Sequence, residues 1–304
     1  MMRNDAELVN KIYKLKREKE AIILVHNYQL GEIQDIADFV GDSLELSQQA
    51  ARTNAEVIVF CGVHFMAETT SILCPNKTVL LPDMNAGCPM ANMVTAEQLK
   101  QRKKELPDAV VVSYVNTTAE VKAESDICCT SANAIKIVKS LQSEKILFAP
   151  DKYLGHYIST KVDKKFFLWP GFCPTHARIL PEYIIELKGN YPNAKVVVHP
   201  ECRPEVINLA DEVLSTGGMC RYARRDDVNQ MIVGTEIGII YRMRKENPGK
   251  MFIPVSEQAI CPNMKLITLE KVLNSLEEMT PEVRVSKDIR LKAIKAVERM
   301  LEVV

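Results

Sequence analysis

The chain has 304 residues, 47% of them apolar, with 39 basic and 39 acidic side chains, nine cysteines and 12 glycines. That length and apolar fraction can bury a large core in two or three structural units, which excludes a disordered chain, a collagen or a small disulfide scaffold. A formal net charge of zero lacks the electrostatic footprint of a nucleic-acid or acidic-membrane binder, so neither partner is expected.

The N-terminal segment MMRNDAELVNKIYKLKREKE is too polar for a signal peptide, and no apolar run reaches the ~18 residues of a membrane span. A cytoplasmic location is therefore expected. In a reducing compartment, nine cysteines are better explained as buried apolar side chains, metal ligands or catalytic thiols than as disulfides.

Taken along the chain, ELVNKIYKLKREK predicts a helix that leads into a buried strand, AIILVHNY (21–28). The amphipathic segments DIADFVG and SLELSQQAAR follow, then a strand in EVIVFCG and another in TVLLPD. The same order returns as the helix TAEQLKQRKKEL (95–106), then AVVVSYVN, TSANAIKI, KILFAPD and KFFLWPG. It returns again as PEYIIELKGN (181–190), AKVVVHPE, STGGM, QMIVGTE and KMFIPV. First strands begin at Ala21, Ala109 and Ala194, spaced by 88 and 85 residues; second strands begin at Glu56, Lys145 and Gln230, spaced by 89 and 85. Third strands run to Pro82, Pro170 and Pro254. Short β-branched runs alternating with amphipathic segments indicate βαβ units on parallel sheets buried on both faces. The expected fold is α/β: three similar three-layer αβα domains over 1–94, 95–180 and 181–304, related by pseudo-threefold symmetry around a central site. The last includes two C-terminal helices, in TLEKVLNSLEEM and SKDIRLKAIKAVERMLEV, whose charged outer faces read as solvated.

Only three cysteines recur with the repeat. Cys88, Cys173 and Cys261 each follow the proline that closes the third strand, and each precedes a proline, in AGCPMAN, GFCPTH and AICPNMK. A threefold arrangement brings these loops to one point at the C-terminal ends of the strands, where parallel sheets bind ligands. Cys74 shares the Cys-Pro dipeptide but precedes its strand and reads as structural. Cys61, Cys128 and Cys129 read as small buried hydrophobes, and Cys202 and Cys220 fall near the expected site. Three converging thiolates suit zinc, completed by a residue such as His176, or an iron–sulfur cluster. The close CxxC pairs of structural zinc and the CxxCxxC runs of ferredoxins are both absent. Three ligands on a [4Fe–4S] cluster leave one iron open, which a Lewis-acid catalyst requires.

First strands end in groups too polar for a buried sheet: His26, Asn27 and Tyr28, then Tyr114 and Asn116, then His199 and Glu201. One polar strand end is ordinary; equivalent ends in three copies point to a site. Glu201 is the only carboxylate among them and the candidate general base, with Tyr28, Tyr114 and the histidines as proton donors or orienting groups. Between first and second strands, Asp42 and Ser43, Thr130 and Ser131, and Ser215 and Thr216 read as helix N-caps, ends that favour phosphate or carboxylate. No GxxxxGK[ST] or GxGxxG occurs, so a small, multiply anionic substrate is expected rather than a nucleotide.

The motifs HNYQ (26–29), DIADFVGDSLEL (35–46), FMAET (65–69), CPMAN (88–92), YVNTTAE (114–120), TSANA (130–134), VHPEC (198–202), STGGM (215–219), GTEIG (234–238) and CPNMK (261–265) together resemble the quinolinate synthase family, from about residue 8 to the end. The resemblance implies one [4Fe–4S] cluster on Cys88, Cys173 and Cys261. It implies condensation of iminoaspartate with dihydroxyacetone phosphate to quinolinate, with loss of phosphate and two waters, in de novo NAD synthesis. An iminoaspartate-producing L-aspartate oxidase or dehydrogenase is the implied functional neighbour. By motif, His26, Tyr28, Ser43, Tyr114, Asn116, Ser131, His199, Glu201, Ser215 and Thr216 line the site. This chain departs from the pattern at His64, where an acidic residue is expected, and has no cysteine after Cys261 to make the regulatory disulfide of longer forms.

Two other readings compete. An iron–sulfur or zinc sensor would bind an anionic metabolite without transforming it, which leaves the paired acid–base groups idle. A metal-free sugar-phosphate lyase needs a Schiff-base lysine, and none stands at the strand ends.

Overall fold

The computed structural model describes residues 2–303. The first unit runs α1 (Met2–Glu18), β1 (Ala21–His26), α2 (Gly31–Asp35), β2 (Phe39–Gly41), α3 (Ser43–Arg52), β3 (Val57–Cys61), α4 (His64–Leu73) and β4 (Thr78–Leu80). The second repeats it: α5 (Ala96–Glu105), β5 (Val110–Tyr114), α6 (Ala119–Ala123), β6 (Ile127–Cys129), α7 (Ala134–Ser140), β7 (Lys145–Ala149), α8 (Lys152–Ser159) and β8 (Lys165–Leu168). The third comprises α9 (Pro181–Asn190), β9 (Lys195–Val198), α10 (Pro204–Ile207), β10 (Glu212–Val213), α11 (Thr216–Ala223), β11 (Gln230–Gly234), α12 (Ile239–Glu246) and β12 (Met251–Pro254). Helices α13 (Leu269–Glu278) and α14 (Lys287–Glu302) close the chain.

Each unit forms one four-stranded parallel sheet, and the strand orders correspond: β2-β1-β3-β4, β6-β5-β7-β8 and β10-β9-β11-β12. Central strands are apolar through their middles because helices cover both faces; all five residues of β3 are buried, as are Ile23, Leu24 and Val25 of β1. Fully burying each such side chain contributes about 1.5–3 kcal/mol. The expected three-layer α/β architecture is the one observed, with a fourth strand in each sheet that the sequence pattern does not disclose. The edge strands β2, β6 and β10 have only two or three residues, too short for a periodicity to register, and β2 lies inside the segment DIADFVG that reads as amphipathic.

Helix starts need one correction. Asp42 caps α3, accepting from the backbone N–H of Leu44 and Glu45, and Ser215 caps α11 through Gly218. Ser43 and Thr216 are then the first helical residues. In the second unit, however, Thr130 and Ser131 do not cap α7; Asn133 precedes that helix. Asn133 is drawn elsewhere: its Oδ1 accepts from Thr130 N–H at 2.9 Å, and its Nδ2 donates to the carbonyls of Met300 and Val303 at the end of α14. The residues after β6 therefore form a turn anchored to the C-terminal helix.

The two C-terminal helices follow the third sheet but pack elsewhere. Helix α13 lies against α1 and β3, and α14 lies against α6, β6 and α4, tying the first unit to the second. Its inward face is Ala293, Ala296, Val297 and Met300, all fully buried. No helix among the described residues is long and apolar enough to cross a membrane.

Candidate active site

One cavity collects the C-terminal ends of β1, β5 and β9. Its lining includes His26 and Tyr28 from the first strand end, Tyr114 and Asn116 from the second, and His199 and Glu201 from the third. Ser43, Ser131, Thr216 and all three of Cys88, Cys173 and Cys261 also face it. Of the residues expected at the site, Ser215 alone does not line it. Its hydroxyl donates to Asp42 Oδ2 at 3.0 Å, fastening the start of α11 to the start of α3. That junction requires Gly217, because a Cβ there would lie 2.7 Å from both Asp42 Oδ2 and Glu45 Oε1.

The nine cysteines divide as the repeat divides them. Cys88, Cys173 and Cys261 retain exposure, and the other six are buried. Cys202 and Cys220, near the site in sequence terms, are absent from the cavity wall. Proline after each cavity cysteine fixes the backbone at the start of a 3-10 turn: Met90–Met93, His176–Arg178 and Pro262–Lys265. Each turn brings backbone N–H groups near its sulfur, those of Met90 and Ala91 to Cys88, of His176 to Cys173, and of Asn263 and Met264 to Cys261, and His176 Nδ1 lies 3.1 Å from Cys173 Sγ. Without a metal the thiols stay protonated; burial pushes Cys88 up to about 12 and raises Cys173 and Cys261 as well.

Glu201 is the hub of the polar groups. Tyr114 donates to its Oε1 at 2.6 Å, and His176 Nδ1 lies 2.8 Å from its Oε2. Burial alone would raise this carboxyl, but His176, His199 and the hydrogen bonds from His176 and Tyr114 outweigh it and hold Glu201 well below the usual range. Burial, then the Glu201 charge, raises both Tyr28 and Tyr114 well above 10. At neutral pH Glu201 is therefore a carboxylate and both phenols are neutral. His176 Nε2 is 2.9 Å from Thr235 Oγ1, which is 2.5 Å from the Tyr28 hydroxyl. A continuous chain of hydrogen-bonding groups thus links Tyr28 to Glu201.

The repeat extends to histidine tautomers. Tyr28 N–H donates to His26 Nδ1 at 3.2 Å, and Glu201 N–H donates to His199 Nδ1 at 3.3 Å. A nitrogen that accepts carries no proton, so both imidazoles hold theirs on Nε2; His199 Nε2 lies 3.1 Å from Ser131 Oγ. Burial is the main cause lowering both pKa values from 6.5 to about 3, so each ring is neutral at pH 7. Asn116 Oδ1 is buried with no hydrogen-bond partner among the described residues and lines the cavity, an acceptor awaiting a ligand donor.

Several lining residues escape the sequence reading. His176 enters there only as a possible zinc ligand, and Glu236 not at all, although it belongs to QMIVGTE at the end of a repeated strand; Thr235, which bonds His176 and Tyr28 without lining the cavity, is missed as well. Val63, Phe65, Met66, Met90 and Met264 supply an apolar wall that resembles ordinary core in sequence. His64 opens α4 with Nδ1 3.8 Å from Glu68 Oε2 and does not line the cavity. Cys173, His176 and Glu201 bring their donor atoms within 4.8 Å of one another, so the site can hold a metal.

Known proteins resemble this chain over nearly its whole length. The family described as quinolinate synthetase A protein matches residues 10–302. A protein named quinolinate synthase from Dehalococcoides mccartyi (strain CBDB1) is 64% identical over 299 residues, 98% of this chain and 99% of its own. Proteins of the same name from Geobacter sp. (strain M21), 55% identical over 97% of each chain, and Methanosarcina barkeri (strain Fusaro / DSM 804), 53% identical over 98% of each, align as completely. The chain belongs to the quinolinate synthetase A family.

Proposed function

We propose that this cavity makes quinolinate from iminoaspartate and dihydroxyacetone phosphate on the route to NAD, with one [4Fe–4S] cluster on Cys88, Cys173 and Cys261. Iminoaspartate would reach it from an L-aspartate oxidase or dehydrogenase. The observation that carries the reading is the placement of three thiols, equivalent in the repeat, on the same wall as Glu201, Tyr28 and Tyr114. Their chemistry fits the group: three soft sulfur donors on one cavity, each with backbone N–H nearby, suit an iron–sulfur cluster. When bound, the cluster would supply a Lewis-acidic iron that carries no protein thiolate.

The chain's own groups divide the remaining work. The N-termini of α3 and α11, with the hydroxyls of Ser43 and Thr216, offer partial positive charge to phosphate and carboxylate. Asn116 Oδ1 accepts from a substrate donor, and the Nε2–H groups of His26 and His199 donate. Glu201, charged and aimed into the cavity, takes the proton whose loss turns the phosphorylated ketone into a nucleophile. Tyr28 and Tyr114, kept as phenols, return protons to the oxygens that leave as water. The apolar wall from Phe65, Met66 and Met264 limits bulk water around the imine.

A second reading rests on Cys173, His176 and Glu201, whose spacing also suits a single zinc ion in a metabolite sensor. It occupies Glu201 as a ligand and leaves Cys88 and Cys261 without a role. Anaerobic reconstitution separates the two. About four irons and four sulfides per chain are expected, lost in Cys88→Ser, Cys173→Ser or Cys261→Ser, with quinolinate formed from the two substrates. Glu201→Gln should keep the iron and lose about 10²–10⁴ in rate. Stoichiometric zinc, or a full cluster in any of the serine variants, overturns the ligand assignment.

A further inference from the structure

Two fully buried carboxylates beside the cysteine loops have no part in the chemistry above. Asp151 and Glu236 stand at the ends of the equivalent strand segments KILFAPD and QMIVGTE. Each acts as a two-armed clamp. Asp151 Oδ1 accepts from Leu154 N–H at 2.7 Å in the first turn of α8, while Oδ2 accepts from Cys173 N–H at 3.1 Å. Glu236 Oε2 accepts from Gly238 N–H at 2.7 Å just before α12, while Oε1 accepts from Cys261 N–H at 3.1 Å and pairs with Lys265 Nζ at 2.9 Å. The backbone repeats too: the N–H groups of His64, Lys152 and Ile237 donate to the carbonyls of Ala86, Gly171 and Ala259, each two residues before its cysteine. The first unit has that backbone link but Gly62 in place of the carboxylate, and its loop is held instead from the third unit by Asn263 Nδ2 on Gly87 O at 2.8 Å.

We propose that Asp151 and Glu236 are positioning residues that set where Cys173 and Cys261 present their sulfurs to the bound cofactor. Cys88, with no such clamp, is the ligand whose place depends on the neighbouring unit. This rests on the cysteine assignment proposed above. Ligand backbones fixed by buried hydrogen bonds to carboxyl oxygens hold a metal group against loss, and removing such support typically costs about 10–100-fold in metal affinity. Asparagine or glutamine keeps the shape but replaces one accepting oxygen with an NH₂ group that opposes the N–H it must serve.

The test uses the reconstituted full-length protein, with iron loss to a chelator and the electron paramagnetic resonance spectrum of the reduced cluster as readouts. Asp151→Asn and Glu236→Gln should load iron, lose it about tenfold or more faster than wild type, and show altered spectra. Ile158→Ala, a fully buried change in α8, supplies a destabilised protein with both clamps intact and should lose iron at the wild-type rate. The inference fails if both clamp variants match wild type in rate and spectrum, or if Ile158→Ala loses iron as fast as they do. Should wild type and Cys173→Ser hold equal iron, the cysteine assignment itself fails, and this inference with it.

Discussion

His26 and His199 occupy the same place in two repeats, and burial keeps both neutral. Because their pKa values fall from 6.5 unfolded to about 3 folded, each of these two rings binds more protons in the unfolded chain than in the native one throughout that window. Their contribution to stability is complete above pH 6.5 and declines as pH drops toward 3, by up to about 1.4 kcal/mol per unit for each ring, while the raised carboxyls of Asp42, Glu68, Asp151 and Glu236 act in the opposite sense. Glu201, depressed below 4.5, adds a loss of the same sign at lower pH. Urea unfolding of the metal-free protein at pH 7.5 and 5.5 isolates the histidine part by comparison with His26→Asn, which keeps an acceptor for Tyr28 N–H and should lose less stability than wild type over that interval. An unchanged pH slope in this variant would contradict a neutral buried His26. In sequence, His26 and Glu201 are visible as polar strand ends. Thr235 and His176 are not, because the chain linking Tyr28 to Glu201 draws on residues up to 207 positions apart.

At the scale of elements, hydroxyls at two helix starts have different work. Ser215 caps α11 and bonds Asp42, whereas Ser43 is a first-turn residue facing the cavity. Ser215→Ala should cost about 1 kcal/mol of stability through the lost cap. Ser43→Ala should leave stability within about 0.5 kcal/mol and raise KM for the anionic substrates; thermal unfolding and steady-state kinetics on the two variants check the contrast. Helix-start chemistry is legible in the sequence at Asp42 and Ser215, where the cap is local. It misleads at Thr130 and Ser131 because Asn133 answers to carbonyls in α14, more than 160 residues away.

Across the whole molecule, α14 joins units that the repeat alone would leave separate. Its buried face meets α6, β6 and α4, and Arg299 Nη1 donates to Asp126 O at 2.6 Å. Met300→Ala should cost about 2–5 kcal/mol, and hydrogen exchange should show α4 and β6 losing protection together, since one helix covers both. Protection lost in β6 alone would mean that α14 does not couple them. The sequence by itself determined the threefold α/β repeat, the central strands and the three cysteines apart from the other six, since each rests on local pattern or regular spacing. Only the tertiary structure decided the edge strands, the passage of α14 onto the first two units, the hydrogen-bond hub at Glu201 and the carboxylate clamps on Cys173 and Cys261. Those features arise where groups remote in the chain compete for the same buried donors and acceptors, and periodicity carries no record of which partner prevails.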